Sequence, residues 1–216
     1  MDRGEVLVIG LGRFGRALAM ELVELGHDVL AVDSNPDKVQ SAARDLQHVV
    51  HADGTDFDTM RDIGASDFET VVVAIGEVEP SIIATYIMVD LAIPRIWSKA
   101  ITSSHGAILE RVGAHRVIFP ERDMGVRMAH TLTGETIDYL ELDANFALLE
   151  TTVPKEVVGK PLAKAEIRKR FDCTVVAVKQ ADGMFTYATP ETVLQAGDIL
   201  VVAGEPKKAE QFASLD

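Results

Sequence analysis

The sequence predicts an α/β fold: a doubly wound parallel sheet over roughly the first 130 residues, followed by a small α+β unit. Three observations carry this reading. Short β-branched runs alternate with amphipathic stretches, a glycine-rich turn joins the first run to the first helical stretch, and the hydrophobic period changes after about residue 133.

In chain order the apolar runs are VLVI (6–9), VLAV (29–32), HVVHA (48–52), TVVVAI (70–75), RIWSKA (95–100) and RVIF (116–119). Near-continuous apolar strands separated by helices imply a parallel sheet covered on both faces. Six of them complete a Rossmann-like nucleotide-binding sheet. Helix ends are legible between the runs. Gly26 stops the first helix, and Ser34-Asn35-Pro36 supplies an N-cap and a first-turn proline for the second. Glu79-Pro80 opens the fourth, and a long helical pattern runs from Met124 to about Thr133. From Tyr139 onward the chain reads as short strands: YLELD, FALLETTV, CTVVAVKQ, MFTYAT and DILVVAG. One helix, LAKAEIRKRF, interrupts them and PKKAEQFASL closes the series, while Ala181-Asp182-Gly183 signals a hairpin turn. The boundary between the units is expected near residues 134–138, and no internal repeat or low-complexity segment is visible.

The glycine turn carries the chemistry. Gly10-Leu11-Gly12-Arg13-Phe14-Gly15 fits G-x-G-x-x-G, with an apolar strand before it and a helix after it. Gly10 permits the tight turn, Gly12 lets backbone N–H groups approach a diphosphate, and Gly15 allows helix to pack on strand. Asp33, ending the second strand beside Ser34, is where a carboxylate accepts hydrogen bonds from ribose hydroxyls and repels a 2′-phosphate, which argues against NADP. The competing reading is a structural turn with a helix-capping Asp33. After the third strand, Asp53 either bonds the base amino group or caps the helix starting near Asp56. Ala74-Ile75-Gly76 closes the fourth strand with residues that let a cofactor pass, and Lys99 puts a cation at the ligand-binding edge unless it is an exposed strand-end lysine. Two further arginines raise a question, because cations at a helix start oppose its partial positive charge. Arg13 suits an anion held there, while Arg16 either flanks phosphates or pairs with a surface carboxylate.

Composition narrows the partners. With 21 Lys and Arg against 34 Asp and Glu, the net charge of −13 opposes a polyphosphate backbone, so nucleic acid is not an expected partner. The single cysteine, Cys173, excludes an intrachain disulfide and reads as a small buried residue. No apolar stretch approaches the roughly 20 residues that span a bilayer, and no signal-type start is seen, so a cytoplasmic chain without direct membrane insertion is expected. Hydride transfer needs a proton donor or acceptor beside the nicotinamide. The six histidines form no relay with Cys, Ser or Asp, and nucleotide binding is better supported than catalysis.

VIGLGRFG, GHDVLAVD, VVVAIGE, IWSKA and GAHRVIFPERDMGVRMA together resemble the cytoplasmic regulatory subunits of Ktr/Trk potassium transporters. Those subunits are KtrA-like proteins built from two RCK (regulator of K⁺ conductance) domains. The resemblance implies an N-terminal nucleotide-binding RCK domain at 1–136, with a crossover helix near 123–133, and a C-terminal RCK domain at 137–216. It implies a non-enzyme that gates a membrane K⁺ channel subunit of KtrB/TrkH type through ATP or ADP, with NAD or NADH as the alternative ligand. It also implies dimers assembled into a homo-octameric ring on the cytoplasmic face of the membrane. Arg13 takes the terminal phosphate by this resemblance, and Glu121 takes Mg²⁺ or Ca²⁺ beside the γ-phosphate across the dimer interface. In the C-terminal domain, Leu162, Ile167, Arg168 and Pro190 match a cyclic di-AMP pocket of some relatives. The histidine that completes that pocket is replaced here by Gln180-Ala181-Asp182. The other reading has Leu162 and Ile167 as dimer core and Arg168 as a surface cation. Rival functions are an NAD(H)-sensing subunit and an NAD-dependent oxidoreductase.

Overall fold

A computed structural model describes residues 4–133, 136–181 and 183–215. The chain divides into two compact units, 1–121 and 122–216.

The first unit holds six parallel strands: β1 (Glu5–Ile9), β2 (Asp28–Asp33), β3 (His48–His51), β4 (Thr70–Val73), β5 (Arg95–Lys99) and β6 (Arg116–Ile118). Their order across the sheet is β3-β2-β1-β4-β5-β6. The chain winds outward from β1 in one direction and then, from β4, in the other, which leaves a crevice at the β1/β4 junction. Each strand run read from the sequence became a strand within a residue or two; in the central strands β1, β2 and β4 this follows because a strand buried on both faces is written almost entirely in aliphatic residues. Successive side chains of β1 supply both faces. Leu7 and Ile9 join Val71, Val73, Met88 and Ile96 on one side, while Val6 and Val8 join Ala19, Ala31 and Leu46 on the other.

Helices α1 (Arg13–Glu24), α2 (Pro36–Ala42), α3 (Phe57–Asp62), α4 (Val78–Asp90) and α5 (Ser103–Val112) connect the strands. Asn35 caps α2 by accepting from the Asp37 and Lys38 N–H groups, ahead of Pro36. Gly26 follows α1 at φ 88°, a left-handed turn that glycine adopts without steric cost. Helix α6 (Pro120–Thr133) starts four residues before the expected Met124. Proline is preorganised for a first helical position, where its missing N–H costs nothing, so Pro120 begins the helix rather than preceding it.

The second unit is an antiparallel sheet ordered β10-β9-β11-β8-β7. Its strands are β7 (Thr136–Asp143), β8 (Phe146–Thr152), β9 (Cys173–Lys179), β10 (Phe185–Tyr187) and β11 (Ile199–Gly204). Strands β9 and β10 pair as a hairpin would, with Phe185 opposite Lys179; Asp182 of the expected turn lies outside the described residues. So do Gly134 and Glu135 of the expected linker, and the compact division falls at Glu121/Arg122 instead. The stretch LAKAEIRKRF is not one helix. It forms α7 (Leu162–Ala165) and α8 (Ile167–Phe171), broken at Glu166, whose φ of 49° cannot continue a right-handed helix. Helix α9 (Pro206–Ala213) buries Ala209, Phe212 and Ala213 in a core shared with Leu149, Leu194, Leu200 and Val202.

Candidate functional site

The crevice at the β1/β4 junction is a cavity of about 510 Å³ at the carboxyl ends of the parallel strands. A volume of this order suits a small-molecule ligand. Its wall is the glycine turn (Gly10, Gly12, Arg13, Phe14), the β2 end (Asp33, Ser34), the β3 end (Asp53), the β4 end (Ala74, Ile75, Gly76), and Lys99 and Glu121. These residues come from five separate strand ends and the start of the helix after β6, so the topology, and not chain proximity, assembles them.

The glycines divide the work. Gly10 sits at φ 101°, and a Cβ there would lie 3.0 Å from the Ala74 carbonyl carbon and the Ile75 nitrogen. Gly15 lies outside the cavity wall. A Cβ on it would come within 1.9 Å of the Gly10 carbonyl oxygen, so it lets α1 pack against the turn. Gly12 has open space around its Cα and precedes α1 as the N-cap. Backbone N–H groups at a helix start, joined to the helix dipole, favour an anion there.

Asp33 is buried, and its carboxylate is already engaged. Oδ2 accepts from the Leu11 N–H at 2.6 Å and pairs with the Lys38 Nζ at 3.3 Å, while Oδ1 accepts from the Asn35 N–H at 2.8 Å. Asp33 therefore ties the end of β2 to the glycine turn, and Asn35 does the capping that a structural reading would give Asp33. Asp53 likewise is not the cap of α3. That role belongs to Asp56, which accepts from the Thr59 N–H at 2.7 Å, while Asp53 turns back on the Thr55 N–H and hydroxyl.

Lys99 is not an exposed strand-end lysine: it is 8% exposed, and its Nζ donates to Glu121 Oε1 at 2.6 Å. The ammonium also lies 6.0 Å from the centre of the Phe14 ring. The Lys99 hydrogen bond, aided by the Arg13 charge, holds the Glu121 carboxyl below its ordinary value despite partial desolvation. Arg16 does not line the cavity. It donates to Ser41 Oγ at 2.8 Å and pairs with Asp45 on the surface, joining α1 to the end of α2.

The wall also contains residues that the sequence does not mark as site residues: Ile9, Ala52, Gly54 and Thr55 beside the predicted positions, and Lys38, Glu77 and Pro80 farther along the chain. The signal that finds Lys38, Glu77 and Pro80 is positional, since they lie in the strand-to-helix connections or first helical turns at the carboxyl edge of the sheet, where ligands collect. Among the described residues no three His, Cys, Asp or Glu side chains are grouped to hold a metal ion.

In the second unit Leu162, Ile167, Arg168 and Pro190 line one cavity of about 690 Å³ together with Lys169 and Thr189. Arg168 Nε donates to Thr174 Oγ1 at 3.0 Å. Cys173 also borders it, and burial pushes its thiol up to about 11, so the thiolate form is suppressed at neutral pH. No helix among the described residues is long and apolar enough to cross a membrane.

The chain matches the TrkA-N domain family over residues 6–120 and the TrkA-C domain family over residues 148–215. It is 36% identical to Ktr system potassium uptake protein A of Bacillus subtilis, over 95% of this chain and 93% of that one. Identity to Ktr system potassium uptake protein C of the same organism is 35%, over 96% and 95%. Among solved structures, the GsuK channel bound to NAD superposes with a TM-score of 0.70 at 21% identity, covering all of this chain and 40% of that one. The GsuK RCK domain gives 0.69 at 22% identity, covering 98% and 48%. This chain thus spans less than half the length of either GsuK chain, and the likeness fixes the fold: an RCK-type Rossmann-like sheet with a small C-terminal unit.

Proposed function

The chain belongs to the TrkA family of potassium-uptake proteins, and on that premise we propose that it is a nucleotide-gated regulatory subunit of a potassium transporter or channel. One observation carries the reading most: the strand-end cavity combines a glycine turn at a helix N-terminus, the buried Asp33 carboxylate, and the cations Arg13 and Lys99 in one wall. In this reading the diphosphate lies over Gly10 and Gly12, the ribose hydroxyls meet the outward lone pairs of Asp33, and the base lies toward Asp53. Arg13, exposed at the start of α1, takes the terminal phosphate, since a guanidinium chelates two phosphate oxygens. ATP and ADP are the proposed ligands, and NAD or NADH the alternative in the same cleft; NAD is what the GsuK structure carries.

A divalent cation, Mg²⁺ or Ca²⁺, would be held by Glu121. The donor set fits an ion carried in on phosphate oxygens, because Mg²⁺ usually takes one or two carboxylates plus substrate phosphates and not an all-protein cage. When bound, the ion neutralises charge between a γ-phosphate and a carboxylate. Ligand control then follows if ATP and ADP differ in affinity for two arrangements of the assembly. We place that assembly, a dimer-built octameric ring, on the cytoplasmic face of a KtrB/TrkH-like membrane subunit. The role is non-catalytic, with hydride transfer the rival.

Calorimetry with ATP, ADP, NAD⁺ and NADH tests this. Arg13→Ala is expected to erase the preference for ATP over ADP; equal loss for all four ligands would refute the terminal-phosphate role of Arg13. Turnover of any nicotinamide substrate by the wild-type chain would revive the oxidoreductase reading. A second ligand is supported by the convergence of Leu162, Ile167, Arg168 and Pro190 on one cavity with cationic and apolar walls: cyclic di-AMP in the C-terminal unit. Arg168→Ala should abolish its binding, and wild-type protein that shows no binding removes this second reading.

A further inference from the structure

Lys99 and Glu121 are both assigned to the ligand, yet the structure joins them to each other. The two ends of this pair are unequal. The Lys99 side chain is 10% exposed and the Glu121 side chain 61%. An ammonium so enclosed needs an anionic partner, because a buried unpaired charge is strongly unfavourable. A carboxylate already facing water gives up its partner at little cost. Lys99 is therefore the fixed member and Glu121 the one that can leave.

We propose that Glu121 is an internal competitor of the nucleotide: it occupies the Lys99 ammonium, and a terminal phosphate gains that ammonium only by displacing it. This rests on the nucleotide reading of the cavity and adds a rule for what binds. The phosphate is the stronger claimant, since it brings more than one negative charge and three acceptor oxygens. Arg13, on the same wall, also acts on Glu121, so the carboxylate draws on both cations that a phosphate would use. Glu121 stays ionised at neutral pH, so protonation does not release it there, while an arriving anion or a cation that claims the carboxylate does. Glu121 is the second residue of α6.

The sign of the effect separates this from a carboxylate that only helps binding. With divalent cations removed by EDTA, Glu121→Gln should bind ADP about two- to fivefold tighter than wild type, the range of a partly exposed ion pair. Adenosine, which has no phosphate, should bind both proteins equally. In a Lys99→Met background the same Glu121→Gln change should bring less than half that gain, because no ammonium remains to be freed. Glu121→Gln that leaves ADP affinity unchanged or lowers it in EDTA overturns the proposal. So does an equal gain in the Lys99→Met background, which would reduce the effect to plain repulsion. Wild-type protein that binds neither ADP nor adenosine would instead overturn the nucleotide reading itself. Melting temperatures of all four proteins establish that each is folded.

Discussion

Gly12 and Gly15 stand three residues apart in one turn, and methylating each should give opposite phenotypes. At Gly15 a Cβ would lie 1.9 Å from the Gly10 carbonyl oxygen and 3.0 Å from the Ala74 Cβ. Neither obstacle is the flexible end of a side chain, so α1 or the turn must shift by roughly an ångström in a close-packed interior. Overpacking of this kind costs about 1–3 kcal/mol and more where backbone is the obstacle, while alanine returns about 1 kcal/mol of helix propensity. A net loss of about 2 kcal/mol lowers Tm by about 4–8 °C in a chain of this size. At Gly12 the backbone is ordinary (φ −65°, ψ −177°), and a Cβ meets nothing within 4 Å. Alanine there should cost only about 0.5 kcal/mol as a poorer cap, or about 1–2 °C. Its methyl group would occupy the approach of the diphosphate to the backbone, and nucleotide affinity should fall about tenfold or more. Differential scanning calorimetry and isothermal titration on both variants provide the assay. A Gly15→Ala protein melting within 1 °C of wild type would refute the packing argument. A Gly12→Ala protein with wild-type affinity would refute the phosphate placement.

Arg16→Ala should leave nucleotide affinity within about twofold of wild type, because its guanidinium is committed to Ser41 and Asp45; a loss near tenfold would return Arg16 to the site. Asp33→Asn should weaken every ribose-containing ligand and lower stability by about 1–3 kcal/mol, the range for a charge-assisted hydrogen bond such as the one it accepts from Leu11. Unchanged affinity would leave Asp33 as a brace for the turn alone. Cys173 should resist alkylation in the folded protein at pH 8 and react after unfolding. Its folded thiol titrates above the ordinary value of 9.0, at about 11. The stability it contributes is therefore complete below pH 9 and is lost as pH rises through 11, which urea titrations from pH 8 to 11 of Cys173 and Cys173→Ala proteins would reveal. Phe212→Ala, emptying the fully buried centre of the C-terminal core, should cost about 3–5 kcal/mol and lower the melting transition of that unit; an unaltered thermogram would refute its central place.

Much of the site could be read before folding was known. Gly10, Gly12 and Arg13 sit in one turn, and Asp33 and Gly76 end strands whose apolar runs mark them. Less legible were the pairings. Nothing local distinguishes Lys99, buried against Glu121, from an exposed lysine at a strand end, or Arg16 on Asp45 from an arginine on phosphate. Asp33 and Asp56 differ in role for the same reason: which one caps a helix depends on where each helix starts, and only coordinates supply that.

The sequence by itself determined the strand series, the glycine turn and the change of period that separates the two units, because those are local properties of hydrophobic spacing and backbone freedom. Tertiary structure decided the partners. The reversal of winding between β1 and β4 brings five strand ends to one crevice, and the closeness of β5 to the start of α6 places Lys99 within 2.6 Å of Glu121. A side chain's charge is written in its residue type, but which opposite charge it meets is set by long-range packing, and so are its burial and the ligand it can hold.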